Sequence, residues 1–442
     1  MNLDDILKNV TVIGAAGKMG SGISALLAQE LANCKIKNPN AIYRLNLVDV
    51  NDQALDGLRK YIRSQLIKAA EKAIVRLRAD YADREDLVEN HEIINAYAEE
   101  GLGLLRFSND FTIARNSHLI FEAVFENEEL KLKILKELKT ICRPETLYFT
   151  NTSSIPVGFL AKESGLEGKI VGYHFYNPPI VQKLVEIISA EGTPQEYINI
   201  AHEFGKRLRK KCYQSNDIAG FIGNGHFMRD GLHALAEVDM LQGIYSLPEA
   251  LYIMNQVTQN FLIRPMGIFQ LIDYVGLDVF QCILRVMSKH LNDDSLHSDL
   301  IDTCISHDVK GGQRSDGSQK DGFFKYAGSK LVGIYNAEKK MYEDFAPIQE
   351  KIDNAIGTPP EGFYSWKQLL KDPDKEQKLA AYFTNLASSE GLGAELAKSY
   401  LARSKEIGKK LVTDGVAKSE EDVNAVLMNG FFWLYGPIND YV

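Results

Sequence analysis

Along the first two hundred residues, short β-rich apolar runs alternate with longer stretches whose apolar positions recur every three or four residues. Val10 to Ile13 is the first such run; Gly14, Gly17 and Gly20 follow at once, and Ile23 to Leu31 then reads as helix. The pattern predicts strand, glycine turn, helix. A second strand, Leu45 to Val48, ends on Asp49. Leu55, Leu58, Ile62, Leu66, Ala69 and Ala73 then share one helical face, and that helix is expected to run to about Ala79. Residues 85 to 100 repeat the helical character with heavy charge. Two antiparallel helices are therefore expected to project from the sheet, shaping a ligand cleft, before the chain returns through Arg106 to Phe107. Further strands are legible at Leu119 to Ala123, Leu147 to Thr150, Ile170 to Phe175 and Leu184 to Ile188, with a helix from Leu130 to Ile141. Such alternation predicts an α/β fold with a doubly wound, mostly parallel sheet.

After Cys212 the strand character fades. Phe221 to about His290 reads as helices with turns at Gly243 and Gly267, residues 307 to 322 form a Gly-, Ser-, Asp- and Lys-rich stretch expected to be a mobile loop, and Gly328 to the end reads as helical again. The predicted boundaries are 1–215 for the α/β domain, 216–328 for a helical domain, and 329–442 for a second, degenerate copy of it. The copy rests on five features in the same order. Gly243, Ser246 with Glu249, Pro265 with Gly267, and Asp273 to Val275 match Gly415, Ser419 with Asp422, Gly436 with Pro437, and Asp440 to Val442. Ser246 and Ser419 each precede an acid by three residues, the capping-box pattern of a helix start. Two unrelated capped helices are the alternative; the shared order favours duplication.

Composition narrows the classes. With 442 residues, 45% of them apolar and 25% charged, the chain has room for two or three cored domains. A formal charge of -9 argues against a nucleic-acid binder, whose affinity comes from clustered Lys and Arg. No apolar run approaches the roughly 18 residues of a membrane span. The five cysteines are widely spaced, without the close pairs of zinc or redox sites, so no metal is expected and a reducing, cytoplasmic compartment is. Residues 1–10 read as the approach to a first strand, not as a signal peptide.

Three clusters carry chemistry. Glycines in a strand-to-helix turn let the backbone approach a pyrophosphate seated on the helix N-terminus, which makes Gly14, Gly17, Lys18, Met19 and Gly20 a candidate dinucleotide turn of the Rossmann type. A structural βα turn is the alternative. Asp49, at the end of the second strand, suits the two hydroxyls of an adenosine ribose and would repel a 2′-phosphate, favouring NAD over NADP. The polar segment Asn33 to Arg44 reads as a loop insertion that accounts for the long separation between Gly20 and Asp49. The second cluster, Asn151 to Ser154, follows an apolar strand at the carboxyl edge where open α/β sheets bind ligands; a Ser-rich helix start explains it equally. In the third, His174 closes a strand, and Glu186 sits in an otherwise apolar one, where an unpaired carboxylate is costly. A His–Glu pair fixes the imidazole tautomer and supports its charged form, which equips it to take a proton from an alcohol.

On these residues the chain resembles the L-3-hydroxyacyl-CoA dehydrogenases of fatty acid β-oxidation over roughly residues 8 to 328. The matching segments are Phe121 to Asn127, Asn151 to Ser154, His174 to Pro178, Lys183 to Glu186, Gly220 to Asn224, Pro265 to Gly267 and Asp273 to Asp278, with Gly322 to Tyr326 as the closing motif. The resemblance implies reversible oxidation of an (S)-3-hydroxyacyl-CoA with NAD. His174 would be the general base, Glu186 its support, and Ser153 and Asn224 hydrogen-bonding partners of the substrate oxygens. Glu126, Lys131 and Asn151 would contact the cofactor, and Lys68 or Lys72 on the helical hairpin the CoA phosphates. The chain departs from the family in its lengthened glycine turn, the insertion before Asp49, and Ala219 and Gly225 where Pro and Arg are usual. Its last 110 or so residues resemble the second helical copy of the large multifunctional β-oxidation enzymes, which packs as a partner subunit does in the shorter dimeric ones. That implies a monomer; a homodimer is the alternative. Two other functions fit the same motifs: a dehydrogenase of a free hydroxy acid or sugar acid, and a non-catalytic NAD-binding relative.

Overall fold

Runs that are apolar on both faces become the interior strands of one sheet. The computed structural model describes residues 2–314 and 317–441. In it, β1 (Asn9–Ile13), β2 (Arg44–Val48), β3 (Leu105–Ser108), β4 (Leu119–Glu122), β5 (Leu147–Thr150), β6 (Ile170–Phe175), β7 (Leu184–Ser189) and β8 (Lys211–Asn216) lie in the order β3-β2-β1-β4-β5-β6-β7-β8. All neighbours are parallel except β6 and β7. Strand order reverses across β1 and β4, the switch point at which such sheets bind ligands. Register aligns the carboxyl ends: Ile13 pairs with Val48 and Glu122, Glu122 with Thr150, and Thr150 with Gly172. Hence the glycine turn, Asp49, the Glu126 loop and the Asn151 loop all leave the sheet along one edge. Phe121, Phe149, Tyr173, Phe175 and Phe204 cluster as buried rings, with Phe149 stacked on Tyr173 at 4.8 Å. Because side chains alternate along a strand, burying Tyr173 and Phe175 on one face turns His174 to the other.

Several expectations change in this unit, which extends to Asp217. The segment from Asn33 is not a loop insertion at its start: the helix after the glycine turn runs Lys18–Lys37, and only a short connection remains before β2. Residues 33–37 of that segment are helical, and 38–43 form the connection. The helix predicted to reach Ala79 breaks at Ala73, giving Asp52–Lys72 and Ile74–Asp80, and the hairpin closes through Asn90–Gly103. Strand character does not fade after Cys212. Lys211–Asn216 is β8, a largely polar strand at the sheet edge, where period and hydrophobicity give little signal.

Residues from Ile218 onward form the second unit. A single apolar cluster reaches from Ala219 to Tyr435, so residues on both sides of 328 share one core. Helices Gly223–Leu241, Leu247–Gln256, Ile268–Val275, Leu277–Leu291 and Asp299–Ser306 precede a small antiparallel sheet, β9 (Phe324–Ala327), β10 (Lys330–Asn336) and β11 (Met341–Asp344). This corrects the expectation of an all-helical region from Gly328. Asp273 anchors the sheet, accepting from the backbone amides of Phe323 (2.6 Å) and Phe324 (2.9 Å) and from the Tyr326 hydroxyl (2.8 Å). The stretch 307–322 is tied down at several points: the Gly312 amide and the Gln319 side chain both donate to the Asp273 carbonyl. Residues 315 and 316, within the stretch expected to be mobile, lie outside the described residues. The remaining helices include Phe345–Ile356, Lys375–Ser388, Leu392–Thr413 and Glu420–Gly430.

Candidate active site

Antiparallel pairing of β6 with β7 sets His174 directly opposite Glu186, so the twelve-residue separation is a strand-pair register. Glu186 is wholly buried, and its Oε2 lies 3.1 Å from His174 Nδ1 and accepts from the Tyr176 hydroxyl at 2.7 Å. A carboxylate only accepts, so Nδ1 carries the proton and the basic lone pair is left on Nε2. Burial, reinforced by the adjacent Glu186 charge, pushes the Tyr176 phenol well above its ordinary range and keeps it a donor. Tyr176 was not singled out from sequence. Its place two residues beyond His174, at the strand end, was the available signal. Beyond it, Lys210 Nζ holds the following loop through the carbonyls of Pro179 (2.5 Å) and Gln182 (2.6 Å), and burial depresses this ammonium to about 8. Nothing in the local sequence pointed to Lys210.

The neighbouring strand end carries the second cluster. Asn151 Oδ1 accepts from the Phe175 amide at 2.9 Å, which ties the end of β5 to the residue beside His174. Ser153 and Ser154 follow, and their amides, at 2.8 and 2.9 Å, converge on Glu126 Oε1. The Thr152 hydroxyl joins them at 2.7 Å. Beneath Glu126, Lys131 is fully buried and pairs with Glu122 at 2.8 Å and with Glu126 at 3.4 Å. Burial alone would raise the Glu126 carboxyl, but Lys131 and these donors outweigh it and hold it low. For Lys131 burial would lower the ammonium, and Glu122 and Glu126 together raise it. Glu122, a carboxylate in an apolar strand like Glu186, is the partner that sequence reasoning missed. Lys131 thus spends its charge inside the protein, and Glu126 is the member of the pair nearer the surface.

The glycine turn fits a dinucleotide by its close approaches. Gly14 has φ +76°, and a Cβ there would come within 2.8 Å of the Ala123 carbonyl oxygen; one on Gly20 would lie 1.9 Å from that of Gly14. Only glycine is tolerated at either position. Gly17 caps the Lys18–Lys37 helix without a side chain, so the start of that helix, with the amides of Met19 and Gly20 in its first turn, opens at the sheet edge. Asp49 follows β2 there and braces the turn, Oδ2 accepting from the Ala16 amide at 3.0 Å. Lys68 and Lys72 are exposed, one turn apart on the Asp52–Lys72 helix, whose Leu55, Leu58, Ile62 and Leu66 are buried. Asn224 belongs to the second unit, in the first turn of Gly223–Leu241. Among the described residues no group of three or more His, Cys, Asp or Glu side chains is arranged to hold a metal ion.

Comparison with known proteins agrees with this geometry. Residues 9–218 match the 3-hydroxyacyl-CoA dehydrogenase NAD binding domain, and residues 252–325 match the C-terminal domain of the same enzymes. A probable 3-hydroxybutyryl-CoA dehydrogenase of Deinococcus radiodurans is 30% identical over 316 residues, 71% of this chain and 99% of that one. The mitochondrial hydroxyacyl-coenzyme A dehydrogenase of Homo sapiens is 27% identical over 324 residues, 73% of this chain and 92% of its own. In fold, the crystal structure of 3-hydroxybutyryl-CoA dehydrogenase from Escherichia coli K12 aligns with 98% of this chain and 90% of its own, with a TM-score of 0.63 at 19% identity. A sheet edge bearing a glycine turn, a buried carboxylate behind a histidine, and this kinship lead to one conclusion: the chain belongs to the 3-hydroxyacyl-CoA dehydrogenase family and is an NAD-dependent oxidoreductase.

Proposed function

We propose that the chain oxidises (S)-3-hydroxyacyl-CoA reversibly to the 3-oxoacyl-CoA, with His174 as general base. The His174–Glu186 pair carries the reading, because it presents a basic Nε2 at the sheet edge that also bears the glycine turn. NAD, when bound, accepts the hydride leaving C3 of the substrate. His174 takes the 3-hydroxyl proton on Nε2, and Glu186 holds the ring in the tautomer that makes this possible and balances the charge it gains. Ser153 and Asn224 hydrogen-bond the substrate oxygens, fixing the reacting carbon and stabilising developing charge. The Gly14 to Gly20 turn, through the amides of Met19 and Gly20 at its helix start, holds the pyrophosphate, Asp49 the adenosine ribose, and Glu126, kept ionised by Lys131, borders the cofactor with Asn151. Lys68 and Lys72 meet the CoA phosphates.

Part of the reading concerns the last quarter of the chain, residues 329–442, taken as a degenerate second helical copy that makes the protein a monomer. Asn255 and Asn424 each close on a glycine twelve residues later, Gly267 and Gly436, where a Cβ would overlap the amide at 2.2 and 2.1 Å. Eight residues after each asparagine stands a left-handed residue, Ile263 and Phe432. Such shared backbone detail supports duplication. Five free thiols suit a reducing, cytoplasmic setting, and no helix among the described residues is long and apolar enough to cross a membrane.

The test is NADH consumption with acetoacetyl-CoA, run beside free acetoacetate. Turnover of the thioester is expected, and its absence would overturn the reading. In the same assay His174→Gln should lose most turnover, roughly a hundredfold or more, while binding NAD as the native protein does.

A further inference from the structure

The turn that carries Asn224 is held from the far end of the chain. Gly220 (φ +86°) and Phe221 (φ +49°) are both left-handed, and the Gly225 amide closes on the Gly220 carbonyl at 2.7 Å. A Cβ on Gly225 would lie 3.1 Å from a methyl of Leu411 on the Leu392–Thr413 helix, which would have to give by a few tenths of an ångström before the family's usual arginine could leave the backbone there. Two residues beyond Asn224, His226 is wholly buried, and its Nε2 lies 3.1 Å from the Ser404 carbonyl oxygen and 3.3 Å from Ser404 Oγ. Since a carbonyl only accepts, Nε2 carries the proton. One turn on, Asp230 Oδ2 accepts from Arg264 at 2.9 Å, and its carbonyl accepts from the Tyr400 hydroxyl at 2.9 Å. The Arg264 guanidinium lies over the Trp433 ring at 3.9 Å, and that ring meets His226 edge-on at 5.6 Å. His226, Asp230, Arg264, Ser404, Tyr400 and Trp433 thus form one buried polar and aromatic network. Three of its six members lie beyond residue 399.

We infer that His226 is a positioning residue for Asn224: through its bond to Ser404, the Leu392–Thr413 helix fixes the first turn of Gly223–Leu241 and so sets the rate of the chemical step. The region after residue 329 then has a part in turnover besides filling a core. The inference rests on Asn224 as a substrate contact. Displacing a positioned group by about 1 Å costs on the order of a hundredfold in rate, so a single buried bond in the same helical turn as Asn224 is enough to matter.

A double-mutant cycle read in kcat with acetoacetyl-CoA and NADH tests it. His226→Phe keeps a flat ring but cannot donate; its kcat should fall roughly ten- to a hundredfold with KM for NADH unchanged. His226→Gln, which restores an N–H at the same reach, should recover most of the loss. In an Asn224→Ala background, His226→Phe should cost less than about threefold more, because the group it positions is gone. If Asn224→Ala keeps native kcat, the assignment of Asn224 has failed and this inference with it. If Asn224→Ala is slow but His226→Phe costs the same in both backgrounds, or costs nothing, Asn224 stands and the inference is overturned. Should His226→Phe not fold, His226→Asn, too short to reach the Ser404 carbonyl, enters the same cycle. A smaller kcat loss that vanishes with Asn224→Ala supports the inference, and a loss that persists, or none, refutes it.

Discussion

At the scale of single residues, the site depends on how donors and acceptors are counted. Glu186 Oε2 receives both the His174 Nδ1–H and the Tyr176 O–H, so charge and hydrogen bonding are separable by substitution. Glu186→Gln can keep an oxygen facing both donors while losing the negative charge that balances an imidazolium. Its kcat should drop roughly a hundredfold or more, with a melting temperature near native; equal loss of both would make Glu186 a folding residue. His174 and Glu186 were legible in the sequence because a carboxylate in an apolar strand needs a partner. Lys131 entered only through the family resemblance, as a cofactor contact, since nothing local showed that the buried Glu122 would claim it.

Elements explain why some of the sequence signal misled. Periodicity found the interior strands β1, β2 and β4 to β7 of the large sheet, yet the edge strands β3 and β8 and the β9–β11 sheet escaped: edge strands need no apolar alternation, and in the small sheet only the second half of β10 is continuously buried, too short a run to stand out. The glycines separate similarly. Gly20→Ala would force a Cβ onto the Gly14 carbonyl and should weaken NAD binding at least tenfold in titration. Gly57→Ala, mid-helix with nothing within 4 Å, should stabilise the protein by about 0.5–1 kcal/mol in urea unfolding. Asp273 gives the element that it anchors a pH dependence. Burial raises its carboxyl to about 7, against the pull of the Phe324, Phe323 and Tyr326 donors. A carboxyl raised on folding binds its proton more tightly in the native state, so the stability it contributes is greatest at acid pH and is lost as pH rises through about 7. Denaturation midpoints should therefore fall more steeply from pH 6 to pH 8 in the native protein than in Asp273→Asn. Matching slopes would assign the dependence elsewhere.

For the whole molecule, the reading of a tandem helical copy makes a quantitative demand: light scattering at micromolar concentration should give one chain of 49.5 kDa. A stable dimer would mean that the second copy does not replace a partner subunit. The apolar cluster running from Ala219 to Tyr435 also means that a chain cut at residue 328 would leave much of that core uncovered. The two tryptophans, Trp366 and Trp433, both lie late in the sequence. One donates its indole N–H to the Phe432 carbonyl at 2.8 Å, and the other lies under the Arg264 guanidinium. Light absorbed at wavelengths selective for indole is therefore emitted only from the C-terminal third, so a fluorescence melt watches that region alone, while loss of the nucleotide-binding sheet goes unseen except by circular dichroism.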